Sequence, residues 1–453
     1  MDEAKRKAKE AHVSGHDGTT LLECQLLLVV TMVSYALWKC AASRFPSMVA
    51  PTKSAVIFDF AILCVPFLVA VATTRIAHTI GVLLLLIAAV AALPRRKPPK
   101  SRKTPNPTGS TSHWPFLVTV RATLQVVTAC IILMVDFKVF PSRFAKTETY
   151  GTSLMDLGVG MFVFTGGIVA GPRIKTSSVD RRAAVANLGK SIRASVVVLA
   201  LGIVRMVLTK SVNYQEHISE YGVHWNFFVT LGLIPVLISA AQVVAPQINL
   251  ALLGGIIMLA YTVALRMTSL ESFILYAPRT GIVSMNREGI CSLFGYLTIY
   301  LVAAAIGVRL HSYAQRGLQK HLPTVIVRLS LLSVLLYGLT VGLQDVFSIQ
   351  VSRRMANVSY ATWVLAGCTA QVAGSAAVDF LFGSEHVPIL YKAVNRNQLA
   401  VFLLANVITG LINMSIDTLT VPDVPATLIV GCYMLFVGSV AVLLDKMNVT
   451  LKL

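Results

Sequence analysis

The chain has 453 residues, of which 55% are hydrophobic and only 13% are charged, about half of the roughly 25% charged that ordinary soluble domains carry. That balance excludes a soluble globular protein and points to a membrane one. The 39 Lys and Arg outnumber the 20 Asp and Glu for a net charge of +19. These bases lie in loops between apolar runs, where lipid headgroups and topology account for them, and no separate basic and aromatic surface offers itself to a nucleic acid.

Residues 1–20 form a polar tail that mixes Lys5, Arg6, Lys7 and Lys9 with Asp2, Glu3, Glu10 and Asp17. No small-residue cleavage pattern follows the next apolar run, so the first span is expected to act as its own insertion signal. Stretches of about 20 apolar residues, enough to cross a bilayer core, predict thirteen helices. They begin near Leu21, Ser54, Ala77, Phe116, Ser153, Ser191, Trp225, Asn249, Ser292, Thr324, Asn357, Gln398 and Val424. The expected fold is all-α, a polytopic integral membrane helical bundle in which residues 21–453 make a single transmembrane domain. An odd count sets the termini on opposite sides.

Residues 94–114 carry Arg95, Arg96, Lys97, Lys100, Arg102 and Lys103 with five prolines and no acid, which predicts a flexible cytosolic loop. Residues 171–190 carry five bases against Asp180 and fall on the same side. The N-terminus is then lumenal and the C-terminus cytosolic, with residues 136–152, 210–224 and 268–291 in the lumen. The seven cysteines fall mostly in or beside apolar runs without a C-x-x-C pair, and read as small core residues and not as a disulfide frame or a metal site. Asn357, Asn413 and Asn448 head acceptor sequons in or beside spans, where little glycosylation is expected. His78, inside the short third span, reads as a satisfied buried histidine.

The most informative stretch runs from Arg121 to Gly171. With Arg121 at one end of the fourth span, Asp136 comes about 22 Å further along a helix, still within the hydrocarbon depth, where an unpaired carboxylate costs on the order of 3 kcal/mol. Pro141 cannot continue the helix, so the chain can turn and bring Arg143 or Lys146 back toward Asp136. Such a pair suits acyl transfer to a hydroxyl, the carboxylate as general base and the ammonium stabilising the oxyanion or keeping the carboxylate ionised. The plainer alternative is an interfacial salt bridge with snorkelling bases.

Ser153 and Asp156 resemble a helix cap, and Gly158, Gly160, Gly166 and Gly167 allow close helix packing or room for an acyl chain, packing being favoured. His224, Trp225 and Asn226 open the seventh span, where Trp is an interfacial anchor and His224 and Asn226 can meet a headgroup. Asn286, Arg287 and Glu288 precede the ninth; Glu288 suits a helix N-terminus and Arg287 can grip a phosphate. No G-x-S-x-G elbow occurs, and the His12–Asp17 spacing lies in the tail, outside any span.

The run from Asp136 through Lys146 to Gly160 closely resembles the hallmark stretch of the glycosylphosphatidylinositol (GPI) inositol acyltransferases, which include the fungal GPI-anchored wall transfer protein and the animal phosphatidylinositol-glycan class W protein. Residues 221–228, 286–289, 293–296 and 404–413 resemble the family too. The resemblance implies an endoplasmic-reticulum membrane enzyme that moves a palmitoyl-type chain from a long-chain acyl-CoA to the inositol of glucosaminyl-phosphatidylinositol. No cofactor beyond acyl-CoA as co-substrate, and no metal, is implied. The family's proposed catalytic pair falls on Asp136 and Lys146. Arg143, Glu148, His224, Asn226, Asn286, Arg287 and Glu288 are expected around the substrate. Ser142 stands where the family usually has a second Arg, which argues against an essential base there. The rival classes are a multi-pass lipid transporter or flippase and a noncatalytic glycolipid-binding subunit; repeated halves and broken helices typical of transporters are not evident.

Overall fold

The computed structural model describes residues 9, 11–46, 53–93, 114–177, 181–211, 218–244, 248–384 and 386–451. Its helices in chain order are α1 (Leu21–Arg44), α2 (Lys53–Leu63), α3 (Val65–Thr73), α4 (Ile76–Ala92), α5 (Pro115–Met134), α6 (Leu157–Ser177), α7 (Arg181–Ser211), α8 (Ile218–Tyr221) and α9 (Phe227–Val244). They continue as α10 (Leu250–Met267), α11 (Leu270–Tyr276), α12 (Ile282–Met285), α13 (Arg287–Gln315), α14 (Leu318–Asp345), α15 (Val358–Phe382), α16 (Ile389–Arg396), α17 (Gln398–Ser415) and α18 (Asp423–Lys446). Among the described residues no strand forms beyond one isolated bridge between Gly18 and Thr152. The chain is thus a polytopic helical membrane protein.

Local chemistry sets several helix starts. The Thr20 hydroxyl accepts from the Glu23 amide to cap α1, Asn249 caps α10, and Asn357 caps α15 by accepting from Tyr360 N. Pro115 opens α5 at a position where its missing N–H costs nothing.

Eleven helices among the described residues are long and apolar enough to cross a membrane, with α2 and α3 together making one of them. The expected count of thirteen is not reached. At the third position stands α4, apolar but only 17 residues long, and α7, though 31 residues long, is not among the eleven. The short α4 also leaves His78 exposed, so it is not the buried histidine expected. The loop at 94–114 lies outside the described residues but for Trp114, as do residues 1–8 and 10 of the tail, 178–180 of the second basic loop and 212–217 of the segment before α8.

Long-range hydrogen bonds sort the connections into two ends. At one, Thr19 N donates to Thr152 O, Gly151 N to Val351 O, Val223 N to Met285 O, and Lys9 Nζ to Asn413 Oδ1. That end therefore gathers residues 9 and 11–20, the 135–156 loop, α8 and the turns before α13 and α15. At the other, Arg44 reaches the Ala91 carbonyl, Lys39 those of Gly383 and His386, and Arg396 the Asp445 carboxylate. The tail thus lies at one end and the α18 C-terminus at the other.

The glycines of α6 divide by function. A Cβ at Gly167 or Gly171 would strike the carbonyls of Tyr300 and Ala304, and one at Gly307 that of Ile168, so α6 and α13 cross backbone to backbone. Gly160 packs on Val364 of α15, whereas Gly158 faces open space. All seven cysteines are free, and six are buried.

Candidate active site

A cavity of about 570 Å³ opens at the end of the bundle where the tail lies, between α5, α6, α7, α9 and α17, a volume within the range of small-molecule sites. Its walls are of two kinds. Leu124, Ile131, Met161, Leu201, Phe402 and Val407 give an apolar body, and Gly158 leaves room beside them. Asp136, Lys146, Glu148, Arg205, Glu220 and Arg353 give a charged mouth.

Asp136 reaches this mouth because α5 unwinds just past Met134: Asp136 N bonds Leu133 O, Phe137 N bonds Met134 O, and Pro141 starts a 3₁₀ turn over Ser142–Phe144. The bend expected at Pro141 is present, and it carries Lys146 to the same cavity. The two side chains do not pair with each other, which corrects the expectation. Asp136 Oδ2 instead accepts from Asn413 Nδ2 at 2.7 Å, and Lys146 Nζ donates to Glu220 Oε2 at 2.6 Å. Lys146 has a partner in α8 that local sequence could not disclose. Burial pushes the Asp136 carboxyl up to about 6, with the Asn413 hydrogen bond and the Lys9 charge pulling the other way.

Glu220 also lies 3.5 Å from Arg353 NH1, and Arg353 Nε donates to Asp156 Oδ1 at 2.7 Å. Asp156 further accepts from Ser153 Oγ and from Thr147 Oγ1 and N. The cap of the turn before α6 is Ser153, whose Oγ accepts from Asp156 N, while the Asp156 carboxylate ties the Thr147 end of the loop to the turn before α15. A chain of alternating charge results, Lys146–Glu220–Arg353–Asp156, with only its Lys146 end a third exposed.

The other expected substrate contacts divide. Glu148 and Asn226 line the cavity. Asn226 is held there as a helix cap, accepting from Phe228 N while donating to Gly202 O. Arg143 does not face the cavity; it forks onto Glu23 at 2.8 Å, and that hydrogen bond raises its already high pKa. His224 is exposed and outside the cavity lining, its backbone N–H donating to Asn286 Oδ1. Asn286 is buried and bonds the Ile282 carbonyl. Arg287 is consumed by the carbonyls of Ile274, Ala277 and Ser284, and Glu288 is clasped by Arg279 at 2.6 Å and Arg354 at 2.8 Å. Buried arginines and carboxylates need such partners, and here they tie α11 and α12 to the start of α13.

Sequence reasoning missed Glu220, Arg205 and Arg353. A signal existed for the last: Arg353 and Arg354 interrupt two apolar spans on the side opposite the basic loops, where bases are scarce.

The fold and this cavity define a multi-pass membrane protein with a buried carboxylate and a lysine at the mouth of an apolar pocket. The sequence comparisons then give the family: a model described as GWT1 matches residues 5–444, and the chain belongs to the GWT1 family. It is 37% identical over 99% of both chains to GPI-anchored wall transfer protein 1 of Gibberella zeae, and 35% identical to that of Yarrowia lipolytica over 98% of each. To the phosphatidylinositol-glycan biosynthesis class W protein of Dictyostelium discoideum it is 32% identical over the full length of both.

Proposed function

We propose that the chain is the inositol acyltransferase of GPI-anchor biosynthesis, transferring a palmitoyl-type chain from acyl-CoA to an inositol hydroxyl of glucosaminyl-phosphatidylinositol in the endoplasmic-reticulum membrane. The observation that carries this reading is that Asp136 and Lys146 open onto one cavity with a charged mouth and an apolar body. Such a pocket suits two substrates that each have a polar head and a greasy tail. The names of the family's relatives agree with a glycolipid of the GPI pathway as the acceptor.

In this mechanism ionised Asp136 takes the proton of the inositol hydroxyl as its oxygen attacks the thioester carbonyl. Lys146 donates to the oxyanion that forms. The C–S bond then breaks, the ester C–O bond remains, and the proton passes from Asp136 to the departing CoA sulfur. Lys146 must exchange Glu220 for the substrate oxygen, and Arg353, fixed by Asp156, keeps Glu220 in place when it does. The orientation that accompanies this reading sets the cavity mouth and the tail in the lumen and α18 ends in the cytosol.

The test is direct. Purified protein is incubated with glucosaminyl-phosphatidylinositol and radiolabelled palmitoyl-CoA, and the expected result is labelled acyl-inositol lipid. Binding of the glycolipid without consumption of the thioester would make the protein a noncatalytic subunit, and movement of unmodified lipid between leaflets a flippase.

A further inference from the structure

Asn413 is the only hydrogen-bond donor to the Asp136 carboxylate among the described residues, and an amide can face a carboxylate in two ways. With its NH2 toward Asp136 it stabilises the ionised form; with its carbonyl there it demands a proton on the acid. The Thr409 carbonyl accepts from the same Nδ2 at 3.0 Å, and the orientation is also held from the far side. Lys9 Nζ donates to Asn413 Oδ1 at 2.6 Å, and Thr418 Oγ1 donates to the same atom at 3.5 Å. A lysine cannot accept, so an Asn413 turned the other way would oppose its NH2 to the Lys9 ammonium.

We propose that Lys9 is a positioning residue for catalysis: through Asn413 it fixes the amide that keeps Asp136 ionised and aimed into the cavity. This rests on the reading of Asp136 as the general base. It assigns the N-terminal segment a part in the site. The other charged groups around Asp136 are His12 of the tail, Lys138, Lys146 and Glu148 of its own loop, Arg205 of α7, Glu220 of α8, Arg353 before α15 and Asp417 past α17. Lys146 and Arg353 are engaged by Glu220 and Asp156. His12 is turned to the Phe137 backbone, and burial lowers its pKa. Lys9 is the cation that meets Asn413.

The experiment is a pH–rate profile of acyl transfer with the full-length chain in microsomes, using glucosaminyl-phosphatidylinositol and palmitoyl-CoA. In Lys9→Met the acid limb should move up by about one pH unit, about a fivefold lower rate at pH 6, with the rate at pH 8 within about twofold of the unaltered chain. Lys9→Arg should restore the limb. Asn413→Leu should move it at least as far, and adding Lys9→Met to Asn413→Leu should move it by clearly less than Lys9→Met does alone, since the part of its effect that runs through Asn413 is already gone and only its direct charge on Asp136 remains. A limb that stays in place in Lys9→Met, whether the rate is full or uniformly reduced, overturns the proposal, as does a shift that persists undiminished in the Asn413→Leu background. Asp136→Asn separates the two levels. If it is inactive while the Lys9→Met limb is unmoved, the fault lies with Lys9 alone; if it retains normal turnover, the base assignment itself fails and Lys9 has nothing to position.

Discussion

Lys146 Nζ rests 2.6 Å from Glu220 Oε2, 74 residues away in sequence and on a separate short helix. The lysine expected to meet Asp136 is thereby stored at the rim of the cavity, beside the acid but not against it. In the proposed mechanism, substrate arrival completes the pair.

Asp136→Asn should abolish acyl transfer in microsomes at undiminished expression. In the unaltered chain the rate should fall about tenfold per pH unit below about pH 6, because the base works only when ionised and burial holds its carboxyl near that value. The stability linkage has the opposite sign. A carboxyl raised on folding favours the fold most below its ordinary value, and that contribution is lost as pH rises through the folded one. Acid inactivation through Asp136 should therefore occur without melting, which thermal scans of the solubilised protein at pH 5 and pH 7 would check.

Arg353→Met should lower stability by about 3–5 kcal/mol, since it strands the buried Asp156 carboxylate. Arg353→Met with Asp156→Asn should be less damaging than Arg353→Met alone. Thermal melts in detergent of both single variants and the double variant read this, and a double-variant loss equal to the sum of the two single losses would mean that the residues act independently.

Gly307→Ala should fail to fold or melt far lower, because the new methyl meets the Ile168 carbonyl at the α6–α13 crossing. Gly158→Ala should fold normally, as nothing lies within 4 Å of its Cβ. Gly158→Phe should fill the apolar part of the cavity and shift the preferred donor from palmitoyl-CoA to shorter acyl-CoAs, measured as kcat/KM across chain lengths.

Arg143→Ala should leave kinetics within about twofold, because its side chain is 41% exposed and its ion pair with Glu23 faces away from the cavity; such pairs contribute roughly 0–1 kcal/mol. Arg287→Ala should instead reduce folded yield, having orphaned three carbonyls, while the KM of the surviving protein stays unchanged. A raised KM for the glycolipid would restore Arg287 to the substrate site.

The helical bundle was legible because apolar length is a one-dimensional property, and the Asp136 to Lys146 bend because Pro141 declares it locally. Less visible was the partner of each charge. Glu220 and Arg353 come to Lys146 and Asp156 across 74 and 197 residues, and no spacing rule spans such distances. The same limit misplaced Arg287 and Glu288: the charges looked available on the sequence, yet Ile274, Arg279 and Arg354 had already claimed them. Asn413 stood in plain view as a sequon, and only packing shows its amide turned to Asp136.

Because residues 9 and 11–20 fold over the same end as the cavity, the side of Lys9 and the side of α18 are not equivalent places for attaching a reporter. A fluorescent protein or affinity handle joined upstream would crowd the entrance and tug on Lys9, whereas one joined after α18 would hang from the far end near Arg396 and Asp445. Assays of this protein are best built on the downstream fusion.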